Sequence, residues 1–398
     1  MIKILVTVGT SIFENYKNEG NFNPLLVALE KVSTSGGCRK IEEDYAGRVQ
    51  GLKQDVQNWI AGRRKSYDFS AEVKSLSQIC KELREEIEKE GEVEVHLLTS
   101  DTILGNLAGD ILRDYLRENG TDLCDSKANL TPYVHCIESL KVTGRREFYK
   151  GVSNLFSKVF EIAGGYWDNI IFNITGGYKA TVPFMVTLAY FFKRPVYYIF
   201  EDTDALVKIP QIPLREELLD VARLLPHKEW LIKLKDGIWD RDACSELMRS
   251  DFYKEFSHLV ETEDYEVAFL NPIGVLLIHA IEELYFCIYT TDEVINVIES
   301  DPRIKDLFSR KFWRYVEIGQ KVEIKNGHLV YDDGDNPFRV FYRDLGSIRD
   351  CALPGDKCKF LVYKVFKDHD EYERYLSSNP YSDGILRNLI FKEYYIKK

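Results

Sequence analysis

Short apolar runs that end in small or hydroxylic residues recur through the first half of the chain, and stretches with apolar residues three to four apart lie between them. Ile2, Ile4, Leu5, Val6 and Val8 make the first run; Val93 to Leu98, Tyr133 to Ile137, Ile170 to Phe172 and Val196 to Phe200 make the others. Runs of this length bounded by turn residues predict buried strands. Phe148, Val152, Leu155, Phe156 and Val159 repeat at helical spacing between two of them. Strands alternating with helices predict a doubly wound α/β domain over residues 1–210. The spacing GxGxxG is absent, which speaks against the usual dinucleotide fold.

Candidate chemistry sits where these strands end, because ligands of an open parallel sheet bind outside the carboxyl ends of the strands, where strand order reverses. The run Ile170-Ile171-Phe172 leads into Asn173-Ile174-Thr175-Gly176-Gly177-Tyr178-Lys179, a glycine turn that predicts the opening of a helix. Without a Cβ, Gly176 and Gly177 let main-chain N–H groups converge on an anion at the positive end of the helix dipole, and Lys179 adds a mobile charge. The plainer reading is a tight strand-to-helix turn and nothing more. The first strand ends in Gly9-Thr10-Ser11, and Val93 to Leu98 ends in Thr99-Ser100-Asp101.

The stretch from Lys17 to Gly91 is rich in charge and helix formers, and reads as a lid, a dimer contact or a solvated helical hairpin. After Pro210 and Pro213, one helix is patterned by Leu218, Leu219, Val221 and Leu224 and another by Trp230, Leu231 and Leu234. A helix closing near Leu259, alternation at Tyr265, Val267 and Phe269, and an apolar helix opening at Pro272-Ile273-Gly274 follow. That order is similar to a winged helix-turn-helix over residues 211–284. Arg241 to Arg249 alternates charge sign instead of forming a basic reading helix, so a spacer and dimerisation module is expected. Residues 285–398 show helices at Thr291 to Ile298 and Ile304 to Tyr315, strands at Val322 to Tyr331, Phe338 to Tyr342 and Phe360 to Phe366, and then KDHDEYERYL: a small α+β domain.

Composition narrows the classes. With 398 residues, 45% hydrophobic and 29% charged, the chain holds two or three ordinary cores. Net charge is −11; residues 284–398 carry 19 Lys plus Arg against 19 Asp plus Glu, which leaves 34 against 45 for residues 1–283. An acidic protein does not suit nonspecific binding to free nucleic acid. No apolar run of 18 residues and no signal peptide is seen, so a cytoplasmic protein without membrane contact is expected. The eight cysteines show no metal spacing, and Cys124 with Cys136 or Cys351 with Cys358 would pair only in an oxidising compartment. No metal or cofactor is implied.

The strand ending VGTS, the strand ending NITGGYKA and the closing stretch YYIFEDTDALVKIPQIPL resemble the CARF domains of CRISPR-associated accessory proteins. The resemblance implies a Rossmann-like sensor that binds a cyclic oligoadenylate, cyclic tetra-adenylate being favoured, as a homodimer with the ring across its two-fold axis. It further implies that Gly9, Thr10 and Ser11 line one wall and Asn173, Thr175, Gly176, Gly177 and Lys179 the other, with Thr99, Ser100 and Asp101 as secondary candidates.

For the C-terminal domain three enzyme readings compete. A HEPN ribonuclease fits poorly, since only Arg223 and His227 approach its spacing. A metal-dependent nuclease would use Asp306, Glu323 and Lys325. The helix-plus-sheet order with FRVFYRD and FLVYKVFKDHDEYER is similar to RelE-family mRNA interferases. This resemblance implies metal-independent attack by the RNA 2′-hydroxyl on mRNA in the ribosomal A site. The protein then supplies phosphate stabilisation from Arg339 assisted by Lys367, proton transfer from His369, and base stacking or hydrogen bonding from Tyr372. Arg343, Lys364 and Arg374 complete the set, and strand alternation puts Arg339, Phe341 and Arg343 on one face, expected to be concave and basic. A ligand-responsive transcription regulator with the winged helix as its output is the alternative from a different class.

Overall fold

The first strand, β1 (Ile2–Thr7), buries both faces, with Ile2, Ile4 and Val6 in one core and Leu5 in another. A parallel strand between two helical layers requires this double burial. The computed structural model describes residues 1–31, 38–63, 67–124, 128–141, 144–199, 205–211, 221–264, 266–334, 336–345, 358–387 and 389–398. The expectations at Phe200, Leu218, Leu219, Tyr265 and Cys351 lie outside the described residues. Two compact units, Met1–His279 and Ala280–Lys398, are distinguished.

In the first unit, β1 is followed by α1 (Ser11–Asn18), α2 (Pro24–Lys31), α3 (Cys38–Ala61), α4 (Ala71–Glu82) and α5 (Arg84–Glu90). Strand and helix then alternate through β2 (Glu92–Ser100), α6 (Ile103–Cys124), β3 (Asn129–Ile137) and α7 (Arg145–Ala163). The pattern continues with β4 (Ile170–Asn173), α8 (Val182–Phe191), β5 (Val196–Ile199) and β6 (Leu206–Ile209). Sheet order is β3-β2-β1-β4-β5-β6, parallel except for β6. Order reverses between β1 and β4, so the crevice of this doubly wound sheet lies at their carboxyl ends. The helix after β4 starts later than the glycine turn suggested, because a 3-10 turn, Lys179–Thr181, comes before α8.

The segment from Lys17 to Gly91 is not a solvated hairpin. Leu25, Leu26, Leu29, Leu52, Val56, Ile60, Val73, Leu76, Ile79 and Ile87 are buried in the same core as Ile4 and Val95, so its helices form one of the two layers on the sheet. Their apolar stripe is narrow and flanked by charge, which is why composition alone hides it. Cys80 is bonded to Cys124, joining α4 to α6, and Cys287 is bonded to Cys358. Both pairs differ from those weighed from sequence spacing: tertiary packing brings distant cysteines to a Cα separation of 4.9 Å in each.

The first unit continues with α9 (Lys228–Asp236), α10 (Arg241–Arg249), α11 (Asp251–Phe256), β7 (Val260–Glu263), β8 (Val267–Leu270) and the part of α12 (Pro272–Leu284) up to His279. Asp240 and Ser250 cap α10 and α11 by accepting from the N–H groups of Ala243 and Tyr253. The antiparallel β7–β8 ribbon gains one bridge from Ile238 to Ala268. This group packs on α7: Arg145 pairs with Glu261, and the Arg146 guanidinium lies 4.0 Å from the Trp239 ring centroid. On α12, His279 stacks on Phe160 at 4.7 Å and its Nε2 lies 2.9 Å from Ser157 Oγ.

In the second unit, β9 (Tyr285–Thr290) precedes α13 (Asp292–Ser300), α14 (Pro302–Leu307), a π-helical stretch (Phe308–Phe312) and α15 (Trp313–Glu317). Next come β10 (Val322–Lys325), β11 (His328–Asp332), β12 (Arg339–Asp344), β13 (Phe360–Phe366), α16 (His369–Ser378), α17 (Gly384–Arg387) and β14 (Lys392–Lys397). Sheet order is β10-β11-β12-β13-β9-β14, with β9 and β13 parallel and the other pairs antiparallel. β9 and β14 were not anticipated; β9 follows the apolar helix α12 with no turn residue to mark the change.

Ile60→Ala is expected to lower unfolding free energy by about 2–5 kcal/mol, as for a large core residue, and not by the ~0.5 kcal/mol of a surface position. Urea denaturation of the two proteins measures it.

Candidate functional site

The turns after β1 and β4 meet backbone to backbone. A Cβ on Gly9 would lie 2.8 Å from the Gly177 nitrogen, and Gly177 has φ +87°, so both positions need glycine for reasons of packing and conformation. Thr7 Oγ1 donates to the Gly176 carbonyl at 2.6 Å and completes the junction.

Into this junction reaches a residue that spacing did not reveal. Glu72, in the first turn of α4 and 2% exposed, accepts the Gly9 N–H on Oε1 at 2.8 Å and the Ser70 hydroxyl on Oε2 at 2.7 Å. A Cβ on Gly176 would overlap the same Oε1. Burial raises the Glu72 pKa, against the hydrogen bonds from Ser70 and Gly9, which lower it. In the sequence Glu72 is one of 64 acidic residues, and nothing local marks it.

The other expected ligand residues divide into two groups. Gly9, Thr10, Ser11, Thr175, Gly176 and Gly177 are half-buried and Lys179 is exposed. Ser11 Oγ is enclosed without a hydrogen-bond partner. Asn173 is fully buried, its amide donating to Ser75 Oγ at 2.7 Å and accepting from Thr175 Oγ1 at 2.8 Å. Thr175 Oγ1 also accepts from the Ile199 N–H at 3.1 Å. At the end of β2, Thr99 donates to Asn106 at 2.9 Å, Ser100 bonds Thr102 at 2.9 Å and Asp101 accepts the Ser139 N–H at 2.9 Å. These polar groups satisfy the fold itself.

Two further polar features of the first unit lie away from the turns. On β2 and β3, His96 Nδ1 lies 2.9 Å from His135 Nε2 and His96 Nε2 lies 3.3 Å from Glu94, with burial lowering both histidines and taking His135 down to about 4. A cavity of 340 Å³ between α3 and α6 is lined by polar residues that include Gln54, Gln57, Asp114 and Asn119.

In the second unit, alternation holds across β12: Val340 and Tyr342 face one core and Phe341 the other. The face with Arg339, Phe341 and Arg343 is covered, not open. Arg339 is 8% exposed; its Nη2 pairs with Asp332 at 2.9 Å and its Nη1 donates to the Asn336 and Phe338 carbonyls. Tyr372 on α16 is 0% exposed, Lys325 acts on its hydroxyl, and Arg339 lies 5.8 Å from its ring. Burial raises the Tyr372 pKa. Arg343 donates to the Gly327 carbonyl at 2.7 Å and stacks 3.4 Å from the Tyr381 ring centroid. Nearer the surface, Lys364 pairs with Glu293 at 2.7 Å, Lys367 donates to Ser300 at 3.0 Å and Arg374 to the Asp370 carbonyl at 3.2 Å. His369 is half-exposed, 3.7 Å from Glu373. Asp368, next to this histidine, is the N-cap of α16 and accepts the Glu371 N–H.

The residues of the metal-nuclease reading are engaged in local pairs, Asp306 with Arg310 at 2.8 Å and Glu323 with Lys325 at 2.9 Å. Among the described residues, the three-residue cluster with metal-ligand spacing is Cys287, Cys358 and Glu393, but the two sulfurs are bonded to each other.

A doubly wound sheet with two glycine turns joined at its switch point is an α/β architecture suited to an anionic ligand. Residues 67–212 match the model of the family described as CRISPR-associated protein (Cas_APE2256). Among solved structures, Can2 from Sulfobacillus thermosulfidooxidans in complex with cyclic tetra-adenylate is similar at 12% identity, over 63% of this chain and 67% of that one, with a TM-score of 0.20. A score that low does not establish a common fold. Among the described residues, no helix is long and apolar enough to cross a membrane.

Sequence reasoning also passed over His328, wholly buried on β11, whose Nε2 lies 2.7 Å from the Asn379 carbonyl and whose Nδ1 lies 2.7 Å from the Tyr363 hydroxyl. Burial lowers its pKa. The unfolded chain then binds a proton more readily than the folded one, so stability is full above about pH 6.5 and is lost as pH falls below that value. His328→Gln is expected to flatten the fall in urea midpoint between about pH 7 and 5 relative to the parent protein.

Proposed function

We propose that the chain is a cyclic oligoadenylate-responsive accessory ribonuclease of type III CRISPR defence. Residues 1–210 form the sensor, 211–284 a winged-helix spacer and dimerisation module, and 285–398 a RelE-like mRNA interferase. The observation that carries the reading is the junction of the Gly9 and Gly177 turns at the reversal of strand order, with the second turn inside the segment similar to CRISPR-associated proteins. A cyclic tetra-adenylate bound across a homodimer would meet Thr10, Ser11 and Lys179 on each protomer. Thr99, Ser100 and Asp101 would then support the loop without touching the ligand.

The ribonuclease chemistry needs no metal. The 2′-hydroxyl of the message gives up its proton and attacks the adjacent phosphorus, Arg339 and Lys367 stabilise the charge that develops, and His369 passes a proton to the departing 5′-oxygen, whose bond to phosphorus breaks to leave a 2′,3′-cyclic phosphate. Arg339 held by Asp332, and Tyr372 buried behind it, are consistent with a closed form of this face. For ligand to open it, the ring must bind the open form more tightly than the closed one. An acidic protein has little bulk attraction for RNA, and the ribosome, which holds and orients mRNA, supplies what net charge does not.

Purified protein incubated with cyclic tetra-adenylate is expected to cut ribosome-bound mRNA and to leave free RNA largely intact; efficient cleavage of naked RNA without ligand would refute the coupling. Lys179→Ala is expected to raise the activator concentration for half-maximal cleavage about tenfold. Arg339→Ala is expected to reduce cleavage about a hundredfold while ring binding, measured by calorimetry, stays intact.

A further inference from the structure

Glu72 sets a carboxyl group against a main-chain N–H at the turns where the proposed sensor would take a phosphate oxygen. Its Oε1 takes the Gly9 N–H at 2.8 Å and lies against Gly176, so one carboxylate touches the turns of both β1 and β4. It is held there lightly. Ser70 donates to Oε2 at 2.7 Å, and the same Ser70 oxygen caps α4 by accepting from the Val73 N–H at 3.3 Å. Among the described residues no lysine, arginine or histidine pairs with Glu72. A buried carboxylate without a cation is costly, and here two main-chain amides, those of Gly9 and of Glu72 itself, and the Ser70 hydroxyl compensate it.

An amide that binds a carboxylate is of the kind that binds a phosphate, and both anions cannot take the one N–H. We propose that Glu72 is an internal anion that competes with a phosphate of the bound nucleotide ring for the Gly9 N–H and thereby sets the affinity of the site. This rests on the reading of residues 1–210 as a cyclic oligoadenylate sensor. Ring binding then moves Glu72 off Gly9. Because Glu72 lies in the first turn of α4, the displacement acts directly on a helix of the core layer.

The full chain, its Glu72→Gln and Ser70→Ala variants and Lys179→Ala are titrated with cyclic tetra-adenylate by calorimetry, and the Gly9 amide of the parent protein is followed by NMR on a glycine-labelled sample. Glu72→Gln keeps the shape and removes the charge, and is expected to bind the ring about tenfold more tightly or better. Ser70→Ala releases Oε2 and gains affinity by a smaller factor, and the Gly9 resonance shifts as its partner changes. Equal or weaker binding by a folded Glu72→Gln, with Lys179→Ala still weakening the ring, overturns the role of Glu72 and leaves the sensor reading standing. If Glu72→Gln does not fold, a Gly9 resonance unmoved at saturation in the parent protein overturns it equally. Binding of the ring by none of the four proteins removes the sensor reading itself, and this inference with it.

Discussion

Everything at the sheet's carboxyl edge depends on how closely two turns approach one another. Gly9 and Gly177 meet at a distance where a single methyl group would push the backbones apart, and Thr7 ties the same turn to β1 from below. That contact fixes the crevice between β1 and β4, the place where a doubly wound sheet leaves room between its two sets of crossovers. The glycines thus serve packing first. Their value for a ligand follows, since turns free of Cβ atoms keep main-chain N–H groups within reach of an anion.

The strands of the first unit were legible because parallel strands buried on both faces are written as continuous apolar runs, and the runs at Ile2, Val93, Tyr133, Ile170 and Val196 all became strands of one sheet. The layer formed by α2 to α5 was not legible, because Leu52, Val56 and Ile60 form a narrow stripe among charges and only the folded chain shows what covers them. Glu72 escaped for a related reason. Its partner Gly9 is 63 positions away, and a buried carboxylate looks like a solvated one until burial is known. In the second unit the motif residues were identified, but their environment was not: alternation assigned Arg339 and Phe341 to one face correctly, while nothing in the strand indicated that α16 would cover that face with Tyr372.

The polar groups at the end of β2 have another place in the argument. Asp101 accepts the Ser139 N–H at 2.9 Å and its own N–H donates to the Leu140 carbonyl at 3.1 Å. Leu140 in turn is packed so tightly on α7 that a Cβ on Gly151 would lie 2.5 Å from its backbone. From there α7 meets the ribbon through Arg145 and Arg146, and meets α12 through Ser157 and Phe160.

Those hydrogen bonds, ion pairs, ring contacts and close packings run without a break from the crevice to α12 within the first unit. Contiguity alone does not make a switch; an element with two discrete arrangements is also needed. On the proposed reading two contacts would have them: that of Glu72 with Gly9 and that of Arg339 with Asp332. In each, an internal carboxylate would be exchanged for an external phosphate at a fixed donor. On that reading the ring would bias the chain only as far as it binds the form with Gly9 released more tightly than the form with Gly9 held.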